Sequence, residues 1–230
     1  MPQVETAPPG GRTRRRAALF DLDRTLVRKE TASLYVRYQR EIGEATWRDA
    51  LRVSYWVAQY TLGVIDAQDV AARVMLSFAG MPETVLAARC DDWFHRFVEA
   101  HVCDRGREAV ARHRAQGDVL AIVTGASPYV SRPVARNLGI EHVVSSELQV
   151  GDDGRFTGRL VDPLCYGEGK IVRAARLAEA LRFDLRESTF YSDSFTDMPL
   201  LAHVAEPVVV NPDPRLSREA KRRGWRVEAW

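Results

Sequence analysis

Ala17-Ala18-Leu19-Phe20-Asp21-Leu22-Asp23-Arg24-Thr25 is the stretch on which the reading of this 230-residue chain turns. A short apolar run leads at once into two carboxylates one residue apart, which predicts a buried strand with both acids at its C-terminal mouth. In open α/β sheets ligands bind in the crevice outside the carboxyl ends of the strands. An aspartate placed there can itself be a nucleophile. Asp-x-Asp also occurs in turns, at helix starts and in calcium loops, so the pair takes its weight from the company it keeps along the chain.

Three later segments each bring polar residues to the same kind of place. Val119-Leu120-Ala121-Ile122-Val123 runs into Thr124-Gly125-Ala126-Ser127, Gly167-Glu168-Gly169 delivers Lys170, and Thr189-Phe190-Tyr191 runs into Ser192-Asp193-Ser194-Phe195-Thr196-Asp197. Between the Asp21 motif and the Thr124 motif the pattern is helical. Ala50, Val53, Val57, Tyr60 and Val64 recur at spacings of three and four, with Trp47, Leu51 and Tyr55 as a second apolar row, the wide stripe of a helix packed among helices. Gly43, Gly63 and Gly80-Met81-Pro82 punctuate the region, which predicts four helices near 32–42, 46–62, 66–79 and 82–101.

From residue 105 short apolar runs alternate with helices: helix 105–116, strand 119–123, helix 127–138, strand 142–145, then further pairs to 210. This alternation predicts an α/β fold with a doubly wound, mostly parallel sheet. The expected organisation is an N-terminal tail over 1–16, disordered by its Pro, Gly, Thr and Arg content, an α/β core over 17–28 and 104–230, and an inserted α-helical cap domain over 29–103. An insertion that leaves and re-enters the sheet beside Asp21 lies above the acids as a lid. Gly151-Asp152-Asp153-Gly154 reads as the turn of a β-hairpin, with Asp152 and Asp153 as turn formers. Arg215, Arg218, Lys221, Arg222, Arg223 and Arg226 read as one solvated helix face.

The ordered set of Asp21 and Asp23, Thr124, Lys170, and Asp193 with Asp197 resembles the haloacid dehalogenase (HAD) superfamily of hydrolases, subfamily IB, and its phosphoserine phosphatase-like branch, from Ala17 onward. The resemblance implies a HAD-like Rossmannoid core and a phosphatase acting on a small phosphorylated metabolite through an aspartyl-phosphate. It implies Asp21 as the nucleophile and Asp23 as general acid and base. Thr124 and Gly125 would bind phosphoryl oxygens, and Lys170 would neutralise charge around nucleophile and phosphate. It also implies Mg2+ held by the carboxylates of Asp21 and Asp193 and the backbone carbonyl of Asp23, with Asp197 supporting that shell. Glu30, nine positions after Asp21, matches the acid that holds the ammonium of phosphoserine, and it also suits a helix first turn. Arg37, Arg48, Arg52 and Arg73 are all candidates for a substrate carboxylate.

The chain departs from its nearest pattern at three points. Thr124-Gly125-Ala126 stands for Ser-Gly-Gly, Ser192-Asp193-Ser194-Phe195-Thr196-Asp197 for Gly-Asp-Gly-x-Asn-Asp, and Arg24 for a small residue. These leave phosphoserine as the leading substrate and admit another phosphomonoester. Dehalogenation of a 2-haloacid needs neither a second acid nor an acidic fourth motif, and both are present. Phosphotransfer to an acceptor other than water would use the same intermediate, and a phosphate-binding module without turnover is a further alternative.

The rest of the composition excludes more than it assigns. An apolar content of 46% suffices for a buried core. A net charge of +2 offers no general attraction to nucleic acid or to an anionic membrane. Cys90, Cys103 and Cys165 have no metal-site spacing, and His95, His101, His113, His142 and His203 are scattered, so no zinc site is expected. Arg14-Arg15-Arg16 does not lead into the apolar stretch of an export signal, and the apolar run at 53–65 is shorter than the ~20 residues of a membrane span. A cytoplasmic location is expected.

Overall fold

The computed structural model describes residues 15–44, 55 and 76–230. Its centre is a six-stranded, all-parallel sheet in the order β3 (His142–Val144), β2 (Val119–Val123), β1 (Ala17–Phe20), β6 (Thr189–Ser192), β7 (Glu206–Val210) and β8 (Arg226–Glu228). Phe20 aligns with Ile122 on one side and with Tyr191 on the other. The chain builds outward from β1 to β3, then crosses to β6 and builds the other way. The junction of β1 and β6 is thus the topological switch point, where the C-terminal ends of the strands open a crevice.

β1, β2 and β6 are buried at every residue, because a parallel sheet is covered on both faces and its strands read as continuous apolar runs. Alternate residues feed two cores. Ala18, Phe20, Leu120, Ile122 and Tyr191 pack with Val110 of α3 (Asp104–Ala115) and Val134 of α4 (Pro128–Leu138). Ala17, Leu19, Val119, Ala121 and Phe190 pack with Ala174 of α5 (Glu168–Leu181), Leu200 of α6 (Met198–Leu201) and Leu216 of α7 (Pro214–Arg223). Arg15 and Arg16, assigned to the tail by composition, are already tied in: Arg15 bridges Phe183, and the Arg16 carbonyl accepts from the Val119 N–H at 2.9 Å.

The segment between Val27 and Val102 leaves and rejoins this core side by side, through an antiparallel bridge between those two residues and the bond from the Cys103 N–H to the Leu26 carbonyl. Its described helices are α1 (Thr31–Glu41) and α2 (Glu83–Trp93). The expected single helix over 82–101 is instead α2 continued by a π-helical turn over Phe94–Val98 and a 3-10 turn over Glu99–His101. The widened turn keeps Phe94 and Val98 buried beside Trp93. Tyr35 meets Trp93 edge-on at 5.8 Å, and Tyr38 meets Phe97 at 5.8 Å, so aromatic contacts join α1 to this turn. The helices expected at 46–62 and 66–79, and with them Arg48, Arg52 and Arg73, lie outside the described residues, as does most of the expected tail.

The hairpin of β4 (Leu148–Val150) and β5 (Phe156–Leu160) is antiparallel, with Asp153 Oδ1 accepting from the Arg155 N–H at 3.1 Å in its turn. It is tied to the inserted segment by backbone bonds from Gly80 N–H to the Phe156 carbonyl and from Glu83 N–H to the Gly154 carbonyl. The basic run near the C-terminus is not one helix face. α7 ends at Gly224, whose φ of 69° suits a left-handed cap, and Arg226 starts the edge strand β8. Charged side chains there discourage edge-to-edge pairing.

Candidate active site

The polar residues at the strand ends converge on the switch-point crevice. Asp21 comes directly after β1, and its N–H donates to the Tyr191 carbonyl of β6 at 2.8 Å, which carries the sheet register one residue into the site. Lys170 arrives from the far side. Gly167 precedes α5 with φ 52° and ψ −125°, a conformation that favours glycine. At Gly169 a Cβ would stand 1.9 Å from the Leu164 carbonyl oxygen. These two glycines let the start of α5 press against the preceding loop and aim Lys170 inward.

Lys170 Nζ lies 2.7 Å from Asp21 Oδ1 and 2.7 Å from Asp197 Oδ2, with all three residues buried. Ser192 Oγ donates to the same Asp197 oxygen at 2.7 Å. Burial alone would lower the lysine's pKa, but the two carboxylates outweigh it and the net shift is upward. The ammonium therefore stays charged. Burial raises the Asp21 pKa, against the lowering effect of Lys170.

Asp23 is held differently. Its Oδ1 accepts from the Thr31 N–H at 2.7 Å, so it caps the first residue of α1 from eight positions upstream. Burial pushes its pKa up to about 6, the bonds from Thr31 pulling it down and the Glu30 charge adding to the rise. Asp193 comes directly after β6, is buried, and has its pKa raised to about 7 by burial, with Arg24 opposing. Arg24 Nε stands 3.4 Å from Asp193 Oδ2. The Asp193 loop is fixed by Asp213, whose N–H donates to the Asp193 carbonyl at 2.9 Å while its side chain accepts from the Phe195 N–H at 2.6 Å and caps α7.

Thr124 is buried at the end of β2, beside the β1 terminus, with its N–H on the Val144 carbonyl at 2.9 Å and its hydroxyl accepting from the Ala126 N–H at 3.1 Å. Gly125, next to it, is exposed. Glu30 is the exposed residue immediately before α1, and its charge is felt at both Asp23 and Asp193. The structure thus brings Asp21, Asp23, Lys170, Asp193, Asp197 and Glu30 into one electrostatic neighbourhood, with Thr124 and Gly125 one strand away. Asp197, expected to support the metal shell, has its carboxylate on Lys170 and Ser192.

Ser192, Thr31, Arg24 and Asp213 escaped the sequence reading as partners. For Asp213 a signal existed: Asp directly before Pro at a helix start is a capping pattern. For the other three, the pairing depends on tertiary geometry.

Among the described residues no group of three or more His, Cys, Asp or Glu side chains gathers as a metal cluster. The crevice offers two carboxylates, Asp21 and Asp193, and backbone oxygen. That all-oxygen, low-denticity set suits Mg2+, which binds through one or two carboxylates and keeps several waters. Asp193 already draws a cationic group, Arg24.

Comparison with known proteins agrees with this architecture. The haloacid dehalogenase-like hydrolase family matches residues 18–202. A histidinol-phosphatase of Neisseria meningitidis serogroup C (strain 8013) is 30% identical over 216 residues, which cover 91% of this chain and 96% of that protein. Phosphoserine phosphatase SerB1 of Mycobacterium tuberculosis is 34% identical over 92% of this chain and 70% of that protein. The crystal structure of a protein of unknown function from Bordetella pertussis Tohama I superposes with a TM-score of 0.87 at 32% identity, covering 94% of this chain and 98% of that one. With the family match over most of its length and curated phosphatases as relatives, this chain belongs to the haloacid dehalogenase-like hydrolase family, on its phosphoserine phosphatase-like branch.

Proposed function

We propose that this hydrolase releases inorganic phosphate from a small phosphomonoester, with Asp21 as nucleophile and an aspartyl-phosphate as intermediate. The observation that carries the reading is the buried Lys170 ammonium held 2.7 Å from Asp21 Oδ1 at the switch point, two residues before an acid whose pKa is raised to about 6. With Oδ1 bound to Lys170, Oδ2 is the oxygen that attacks phosphorus. The bond from phosphorus to the leaving alkoxide breaks, and protonated Asp23 gives its proton to that alkoxide. In the second half Asp23, now a carboxylate, takes a proton from the water that attacks the phosphoryl group. The Asp21–phosphorus bond breaks, and Asp21 is restored.

Mg2+ would be held by the carboxylates of Asp21 and Asp193 and the Asp23 carbonyl. When bound it supplies positive charge between two anions that otherwise repel. Lys170 supplies a fixed cation at the same place, and Asp197 and Ser192 keep it oriented. Thr124 and the adjoining backbone at Gly125 serve the remaining phosphoryl oxygens. The inserted helices act as a lid that keeps water from the intermediate.

Histidinol phosphate and phosphoserine, the compounds named for the two relatives, are both phosphate esters of small amino alcohols. Glu30, exposed at the start of α1 and close enough to load charge onto Asp23 and Asp193, suits the ammonium group of such a compound. The test is a screen of phosphorylated metabolites with and without Mg2+, run beside Asp21→Asn. Mg2+-dependent release that the variant lacks supports the reading, whereas release that persists in the variant rules out the nucleophile.

A further inference from the structure

Arg24 breaks two local rules at once. Its φ of 54° lies in the left-handed region, which costs a residue bearing a Cβ roughly 1 kcal/mol or more. Its half-exposed side chain, 45% accessible, also lies against the buried carboxylate of Asp193, 3.4 Å away. Glycine would hold this turn without strain, so the arginine has to be explained by its charge. Among the described residues, the ion pairs of Asp21, Asp193 and Asp197 are with Lys170 and Arg24, and Lys170 is committed to Asp21 and Asp197. Arg24 is the cation assigned to Asp193.

We propose that Arg24 is a displaceable internal counter-ion, which neutralises Asp193 in the metal-free protein and must yield that carboxylate when a divalent cation binds. The proposal rests on the reading of Asp193 as a metal ligand. Because the guanidinium lies at the solvent side of the acid, it can swing out without unpacking the core, on a side chain with several rotatable bonds. It keeps the buried carboxylate from standing uncompensated and weakens metal binding by the strength of the pair it gives up. A partly exposed pair of this kind changes the affinity by roughly fivefold to tenfold.

The experiment is titration calorimetry of the whole protein with Mg2+ alone, without substrate, on wild type, Arg24→Gln, Arg24→Lys, Lys29→Gln and Asp193→Asn. Arg24→Gln should bind Mg2+ roughly fivefold to tenfold more tightly than wild type, Arg24→Lys should stay near wild type because it keeps the charge, and Asp193→Asn should lose binding. Lys29→Gln, which removes an exposed neighbouring charge, should change little, separating the pair from a general field effect. Equal affinity of wild type and Arg24→Gln, with Asp193→Asn still defective, overturns the counter-ion and leaves the metal reading standing. A gain in Lys29→Gln equal to that in Arg24→Gln overturns it too. No binding by wild type or Arg24→Gln overturns both.

Discussion

Removing the Lys170 ammonium would leave Asp21 and Asp197 buried in the same crevice with no cation between them. Loss of one member of a buried ion pair costs about 3–5 kcal/mol, so Lys170→Met is expected to lower the unfolding free energy by that order as well as to abolish turnover. Urea denaturation checks it; a stable variant would mean that the two acids hold a proton between them without Lys170. Asp21→Asn should behave in the opposite way. It removes a carboxylate whose pKa burial has raised, so stability should hold or rise, while phosphate release falls by about 10³-fold or more, as for loss of a nucleophile. A variant that unfolds would show that Asp21 is held for structure. At Asp23, the bonds from Thr31 lower a pKa that burial has raised to about 6. Thr31→Ala keeps the N–H donor and loses the hydroxyl, so the corresponding limb of the pH–rate profile is expected to move upward, read from kcat against pH.

Elements place these residues, and the chain's ability to show its elements in advance varied with their physics. The strands 119–123 and 17–20 stood out because parallel strands covered on both faces must be apolar throughout, and the acids stood out because polar groups directly after such runs have only the crevice to occupy. The start of α5 was legible as Gly-x-Gly-Lys, though the reason for Gly169 was not. That reason is the Leu164 carbonyl, 1.9 Å from where a Cβ would be. Gly169→Ala therefore has to push α5 off the loop. It should cost about 1–3 kcal/mol, the range for overpacking, and displace Lys170, so kcat falls along with the melting temperature; an unaffected kcat would mean that α5 can shift without moving its lysine. The Arg24–Asp193 pair and the cap of Asp23 on α1 stayed invisible, since no spacing rule encodes a left-handed arginine or a carboxylate that caps a helix eight residues later. The π-helical turn over Phe94–Val98 was hidden for a related reason: its apolar residues fit helical spacing, so nothing in their periodicity marks the wider turn.

At the scale of the whole molecule, the crevice couples folding to protons and, under the proposed function, to Mg2+. Burial raises the pKa of Asp23 to about 6 and of Asp193 to about 7, above the ordinary carboxylate value near ~4. A group whose pKa is raised by folding favours the native state when protonated. Its contribution is present in full below about pH 4 and is lost as the pH climbs through about 6 to 7. Asp193→Asn imitates the protonated acid. In metal-free protein the variant should match wild type near pH 4 and become progressively more stable than wild type towards pH 7, by about 1 kcal/mol or more, a difference of roughly 2–4 °C per kcal/mol in melting temperature. Under the proposed function Mg2+ should reverse the sign, because it would bind only the ionised carboxylates and so stabilise the native state more as the pH rises. Melting curves of both proteins across that window, in chelator and in saturating Mg2+, therefore have to cross: the variant is the more stable protein without metal at neutral pH, and wild type is the more stable one with it. Parallel curves that never cross would mean that Asp193 neither suffers from burial nor gains from the cation, and the crevice would then have no electrostatic reason to hold a metal ion at this position.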